Sequence, residues 1–235
     1  MQRLLYIFGT IAGLAVVMLI FAKDITATGI WYYTVFQERA NLALLNSVPD
    51  PIILTPQVPA STSRPLLFDG LTIPIPFSAT FYGPEGDVAR SDTHSLGIAK
   101  QQNLKDILIA TPEGADSLCL ALVHLTNVPD PCGTKQRFHQ AVATFTPSAV
   151  SPFGSRAEKL AGAILLPFKA AITPSTVESF ATDSIGGFIV AGEQPATYAV
   201  TFFTADDRAY NLIMTNTDVA TLHYVLTAIT LESKK

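Results

Sequence analysis

The chain has 235 residues, of which 49% are hydrophobic and only 14% charged, with a formal net charge of −4. Soluble proteins average about 25% charged residues, so this composition excludes a highly charged disordered tail protein. The negative balance and the lack of Lys/Arg clusters exclude nucleic acid as a partner, because phosphate binding needs a basic footprint.

The first element is the strongest. Leu4 to Ala22 reads LLYIFGTIAGLAVVMLIFA, nineteen residues without a charge. At 1.5 Å per residue this is about 28 Å of helix, close to the hydrocarbon thickness of a bilayer. A cleaved signal peptide has an apolar core of about 7–15 residues and a small-x-small exit. The run here is longer, and Ile20 and Ile25 spoil the small-x-small pattern before Ala22 and Ala27. The reading is therefore a retained single-pass anchor, residues 1–29. Arg3 precedes it, whereas Lys23 and Asp24 follow, which places the amino terminus in the cytoplasm and the rest in the periplasm or outside the cell. Gly9 and Gly13 form a GxxxG spacing that lets a second helix approach closely.

Residues 30–46 continue as a juxtamembrane amphipathic helix, with Phe36, Ala40, Leu44 and Leu45 recurring at helical spacing. Trp31, Tyr32, Tyr33 and Phe36 are amphipathic rings suited to the headgroup layer; their alternative is packing against the chain's own domain. Pro49, Pro51, Pro56, Pro59 and Pro65 then predict a semi-rigid linker over 47–65. The apolar trio Ile52, Ile53, Leu54 admits a second arrangement, an arm laid across the domain surface.

The remaining residues, 66–235, suffice for a substantial core. Leu71, Ile73, Ile75 and Phe77 alternate with Thr72, Pro74 and Pro76, which predicts an edge strand within Leu67–Phe77. Ser78 to Ser95 reads as turn and loop, and Asp106–Ala110 as a short buried strand. Helices are predicted over 115–125, from Leu118, Leu122 and Leu125, and over 136–145, from Phe138, Ala141, Val142 and Phe145. Residues 155–172 fit both periods; Pro167 favours helix to about residue 163 and strand beyond. Ile185–Val190 is a strand whose Gly186–Gly187 marks a bulge or a close approach. Tyr198–Phe203 and Ala209–Met214 flank a hairpin turn, and Asn216 or Thr217 caps a final helix through Ile229. Hairpins with interspersed helices and no βαβ alternation give an α+β head with a mainly antiparallel sheet.

Chemistry is harder to find. His94, His124, His139 and His223 form no HxH, HExxH or His/Cys pair at zinc spacing. There is no GxSxG, GxxxxGK[ST] or GxGxxG, so no catalytic or cofactor motif is present. His94 lies in a polar loop, Ser91–Ser95, and Asp206–Asp207 in a hairpin tip. Cys119 and Cys132 either close a disulfide in an oxidising compartment or remain a buried apolar residue and a free loop thiol. The expected function is structural or protein-binding work by a membrane-anchored head, as an accessory subunit of a larger membrane complex. Its partners would be the lipid bilayer and other membrane subunits. The alternatives are a tethered hydrolase, betrayed by a pocket where His94, His139 or two carboxylates converge, and a tethered small-ligand or lipid-binding domain.

Overall fold

The period-2 segments of the sequence organise the molecule around one large sheet. A computed structural model describes residues 24–58, 62–83, 87–101, 115–172, 177–192, 194 and 196–231. The apolar run Leu4–Ala22, its Gly9 and Gly13, and the strand predicted over Asp106–Ala110 lie outside the described residues. Among those described, no helix is long and apolar enough to cross a membrane.

The fold is α+β. Helix α1 covers residues 24–37; a 3-10 turn, Arg39–Asn41, and a short α2, Leu42–Leu45, follow it. The strands are β1 (Asp50–Pro51), β2 (Ser63–Phe68), β3 (Leu71–Ile75), β4 (Thr80–Tyr82), β5 (Val88–Arg90) and β6 (Ser95–Lys100). Helices α3 (Ala115–Thr126), α4 (Lys135–Thr144) and α5 (Arg156–Ile172) come next. Then β7 (Val177–Ala181), β8 (Ile185–Ala191), β9 (Tyr198–Thr204) and β10 (Ala209–Thr215) lead to α6 (Val219–Ala228) and β11 (Thr230–Leu231). The large sheet runs β1-β7-β8-β9-β10-β6-β5-β4 and the small one β11-β3-β2. The large sheet is mixed through β1, which pairs parallel to β7 (Asp50 opposite Glu178), while its other neighbours are antiparallel.

Alternation sorts the sheet's two faces. Ile189, Val200, Phe202, Tyr210, Leu212 and Met214 face the small sheet and α6 in the main core. Val177, Phe188, Phe203 and Ala209 face the other way, against Ala143 of α4. A separate helical core joins α3, α4 and α5 through Leu118, Leu122, Phe138, Val142, Leu165 and Leu166.

Several predicted elements change. Leu67–Phe77 is not one edge strand: Asp69 and Gly70, at φ +50° and +76°, make the two-residue turn of a β2–β3 hairpin. Strand β3 is central in its sheet despite Pro74. Its neighbour β11 reaches only to Thr72, and the β2 register shifts opposite Pro74, so no regular ladder bond is demanded there. The predicted loop Ser78–Ser95 contains the antiparallel pair β4–β5. Helix α5 runs through Pro167 to Ile172, where strand was expected. Pro167 is exposed, and burying Leu165 and Leu166 contributes about 1.5–3 kcal/mol each, which outweighs the proline's roughly 3 kcal/mol penalty. The last helix is capped by Asp218, whose Oδ1 accepts the Thr221 N–H at 2.7 Å, and not by Asn216 or Thr217.

Residues 50–55 lie along the head. The Ile52 N–H donates to the Ser179 carbonyl at 2.9 Å, Ile52 and Leu54 pack against the main core, and the Thr55 N–H donates to His223 Nδ1 at 3.0 Å.

Gly187 shows a close approach, not a bulge, since the β8–β9 register is continuous around it. A Cβ on Gly187 would lie 2.2 Å from the Thr201 carbonyl oxygen and 2.8 Å from the Phe202 Cα, both backbone. Gly187→Ala is expected to cost about 2–3 kcal/mol. Gly186→Ala is the control, because its Cβ would press mainly on the movable Gln136 amide. Urea denaturation giving equal losses for the two would refute the close-approach account.

Candidate functional site

Helix α1 has two unlike faces. Ala27 and Trp31, one turn apart, are buried. Trp31, 4% exposed, meets Phe145 edge-on with ring centroids 6.4 Å apart. Gly162 of α5 leaves room for that ring: a Cβ there would lie 3.0 Å from Trp31 and 2.7 Å from Val150. Polar contacts from two buried lysines reinforce the docking. Lys159 Nζ donates to Thr28 Oγ1 at 3.0 Å, and Lys169 Nζ donates to the Ser47 carbonyl at 2.6 Å and to the Ala143 carbonyl. Lys169 is 1% exposed, and burial pushes its ammonium down to about 8.

The opposite face is open. Ile25, Tyr32, Tyr33 and Phe36 are exposed, and a Cβ on Gly29 would meet nothing within 4 Å. Positions 25, 29, 32, 33 and 36 follow helical spacing, so they form one stripe. Arg39 sits over the Phe36 ring at 4.1 Å. The four aromatic residues singled out in the sequence are thus divided, Trp31 into the helical core and the other three onto this stripe. The juxtamembrane helix is also interrupted after residue 37, which turns Leu45 into the core and leaves Leu44 exposed.

Cys119 of α3 is bonded to Cys132, thirteen residues on, in the turn that precedes α4. Thr134 caps α4 by accepting the Arg137 N–H, and Asp207 from the β9–β10 tip accepts the Lys135 N–H at 2.7 Å. The bond therefore ties α3 to a turn that is already fixed. Replacing both cysteines by serine is expected to lower stability by about 2–3 kcal/mol, the chain-entropy value for such a loop. Thermal melting with and without reductant checks this; identical curves would show that the bond does not constrain the unfolded chain.

The histidines are dispersed. His94 stacks on Phe77 with centroids 5.4 Å apart, and its Nδ1 lies 2.7 Å from Thr93 Oγ1. His124 is 3.6 Å from Glu158. His139 is buried against Phe203, and burial pushes it down to about 4. His223 holds the arm through Thr55. Among the described residues no three His, Cys, Asp or Glu side chains gather as a metal site.

A groove of about 510 Å³ runs between α4 and the β7–β8 edge. Gln136, Gln140 and Thr144 form one wall at four-residue spacing, with Pro49, Pro51 and Ile52 opposite and Ser179 and Phe188 on the floor. Among the described residues its lining holds no histidine and no carboxylate, so neither His94 nor His139 meets a substrate-sized space there.

A polar cluster was missed in the sequence. Asp69, in the β2–β3 turn, accepts the Tyr210 hydroxyl at 2.6 Å, lies 3.0 Å from Lys100 Nζ and takes Arg208 on its backbone carbonyl. The Tyr210 bond and Lys100 hold the Asp69 carboxyl below its usual range, and burial pushes the Tyr210 phenol up. The cluster joins the two sheets at one corner; it lines neither this groove nor a smaller hollow of about 170 Å³ bounded by Gln136, Ser184, Gly186 and Thr204.

Comparison with protein families, with characterised proteins and with solved structures finds no match for this chain.

Proposed function

We propose that the chain is a single-pass membrane protein whose α+β head, in the periplasm or outside the cell, does structural or protein-binding work as an accessory subunit of a larger membrane complex. The observation that carries this reading is the open aromatic stripe of α1, on a helix whose other face is locked into the head. The described part of this helix starts at Asp24, which in sequence is two residues after the uncharged run Leu4–Ala22. A helix carried on from Ala22 at 1.5 Å per residue would place Tyr32 about 15 Å and Phe36 about 21 Å along its axis. The headgroup layer spans only about 5–8 Å per leaflet, so an upright helix lifts these rings clear of lipid and offers them to a protein neighbour. A strongly tilted helix lays them in the headgroup layer instead. The Cys119–Cys132 bond supports an oxidising compartment for the head.

Gentle detergent extraction of the full chain, then sizing and mass spectrometry of what co-migrates, tests the proposal. A discrete larger assembly with defined subunits is expected, weakened by replacing Gly9 and Gly13 with leucine. A lone monomer or small homo-oligomer overturns the accessory-subunit reading. The Gln136 groove favours a second reading, a tethered ligand-binding head, because a cavity of this size and uncharged lining suits a small neutral molecule.

A further inference from the structure

The largest exposed apolar side chain at the start of α5 is Phe153, 98% exposed at the tip of the turn Ser151–Ser155. The turn is held in shape. The Phe153 N–H donates to Ser151 Oγ at 3.1 Å and the Gly154 N–H to the Ser151 carbonyl at 2.9 Å. Ser155 and Glu158 then form a reciprocal cap. The Ser155 N–H donates to Glu158 Oε2 at 2.6 Å, and the Glu158 N–H to Ser155 Oγ at 3.2 Å. Neither Pro152 nor Gly154 beside the phenyl ring carries a charge. The turn's own bonds do not use the ring, which is left free to meet whatever lies at this end of the molecule.

The position of the turn says which partner. Thr28 meets Lys159 and Trp31 meets Gly162, a step of three residues along each helix, so α1 and α5 run parallel side by side. From the Thr28–Lys159 level, Asp24 lies about 6 Å and Arg156 about 4.5 Å toward the amino-terminal end of the pair. Phe153 lies a further three residues out at that same end. The turn therefore lies at the end of the helix pair marked by Asp24, which in sequence follows the apolar run Leu4–Ala22 by two residues.

We propose that Phe153 is a second membrane contact of the head, inserting at the headgroup–acyl boundary of the leaflet from which α1 emerges. The inference rests on the membrane-anchor reading above and adds the orientation of the head. Helices α1 and α5 stand with their amino termini on the lipid, and the Pro-rich residues after α2 do not set the distance between head and bilayer. An aromatic ring on a rigid turn gains apolar burial at this boundary with no backbone to order.

The test uses the full chain in phosphatidylcholine vesicles. Trp31 is the single native tryptophan and is buried, so the parent protein supplies the fluorescence blank for a Phe153→Trp variant. Vesicles made with lipid brominated near the carbonyl end of the acyl chain report contact. The expected result is that the variant's added emission is blue-shifted and roughly halved by the brominated lipid, as for a ring about 5–10 Å into the boundary. If the protein floats with the vesicles but the added emission is quenched by aqueous iodide and not by bromine, Phe153 faces water and the inference fails while the anchor stands. Blue-shifted emission that neither quencher reaches assigns Phe153 to a protein neighbour and also overturns it. If the full chain does not float with vesicles, the anchor reading itself fails, and the lipid contact with it.

Discussion

Replacing Lys169 by alanine is expected to cost about 4 kcal/mol and to release the N-terminal helical segment from the head. The lysine is buried in the last turns of α5, and its ammonium bridges two carbonyls from different elements: Ser47, just after α2, and Ala143, at the end of α4. Alanine leaves the buried Ala143 carbonyl facing a cavity, while the carbonyl of exposed Ser47 can turn to water. Each unsatisfied buried polar group costs about 1–3 kcal/mol, and the lost packing adds to that. Lys169→Met separates the two contributions. Methionine fills most of the volume but donates nothing, so about 2 kcal/mol should remain. Burial has a signature of its own. The native ammonium titrates near 8 against 10.5 for an ordinary lysine, so between those values the native state gives up its proton first. Stability then rises with pH through that window, and the methionine variant lacks the rise. Denaturant titration at several pH values measures both effects, and limited proteolysis reports the freeing of residues 46–58. An alanine variant as stable as the parent would show that Trp31 and Leu45 hold the segment without the lysine.

The same residue shows where reading the sequence reaches its limit. The β9–β10 hairpin is legible because alternation and the Ala205–Arg208 turn agree, and α3 and α4 because Leu118, Leu122, Phe138 and Val142 keep one period. Pro167 misleads because a proline's local cost is visible in sequence, whereas the burial of Leu165 and Leu166 that offsets it is not. Asp69–Gly70 was a readable hairpin signal, hidden by the longer alternation across it. Ser155-x-x-Glu158 was likewise readable as a capping box and fixes where α5 begins. At the site, Trp31, Tyr32, Tyr33 and Phe36 look alike in composition. Helical phase separates Trp31 from the other three, but only the packing of α1 on Gly162 and Phe145 says which side is covered. Nothing local marks Lys169 or His139 as buried, because each is covered by elements distant in the chain.

His139 gives the molecule a predictable weakness toward acid. It sits in the middle of α4, 6% exposed, with its ring 4.9 Å from that of Phe203 on the sheet and edge-on to Phe138 at 6.3 Å. The pocket disfavours the imidazolium, and burial pushes the native group from 6.5 down to about 4. In the unfolded chain the imidazole takes up its proton as pH falls through its ordinary value, while the native group stays neutral until about 4. The unfolded state thus binds more protons across this interval, and native stability falls with it. Two and a half pH units correspond to about 3 kcal/mol, complete near the native value and flat below it. His139→Leu keeps the site apolar and removes the titration. The difference in unfolding free energy between parent and variant should therefore shift by about 3 kcal/mol between about pH 7.5 and about pH 4. Carboxylates and the other histidines contribute equally to both proteins and cancel in that difference. Parallel pH profiles for the two would mean that the native imidazole is protonated in place. The contact of α4 with Phe203 would then be wetter than the packing shows. Acid should loosen this contact first, because the ring lies where α4 meets the sheet, and the Gln136 groove on the same helix would change shape with it.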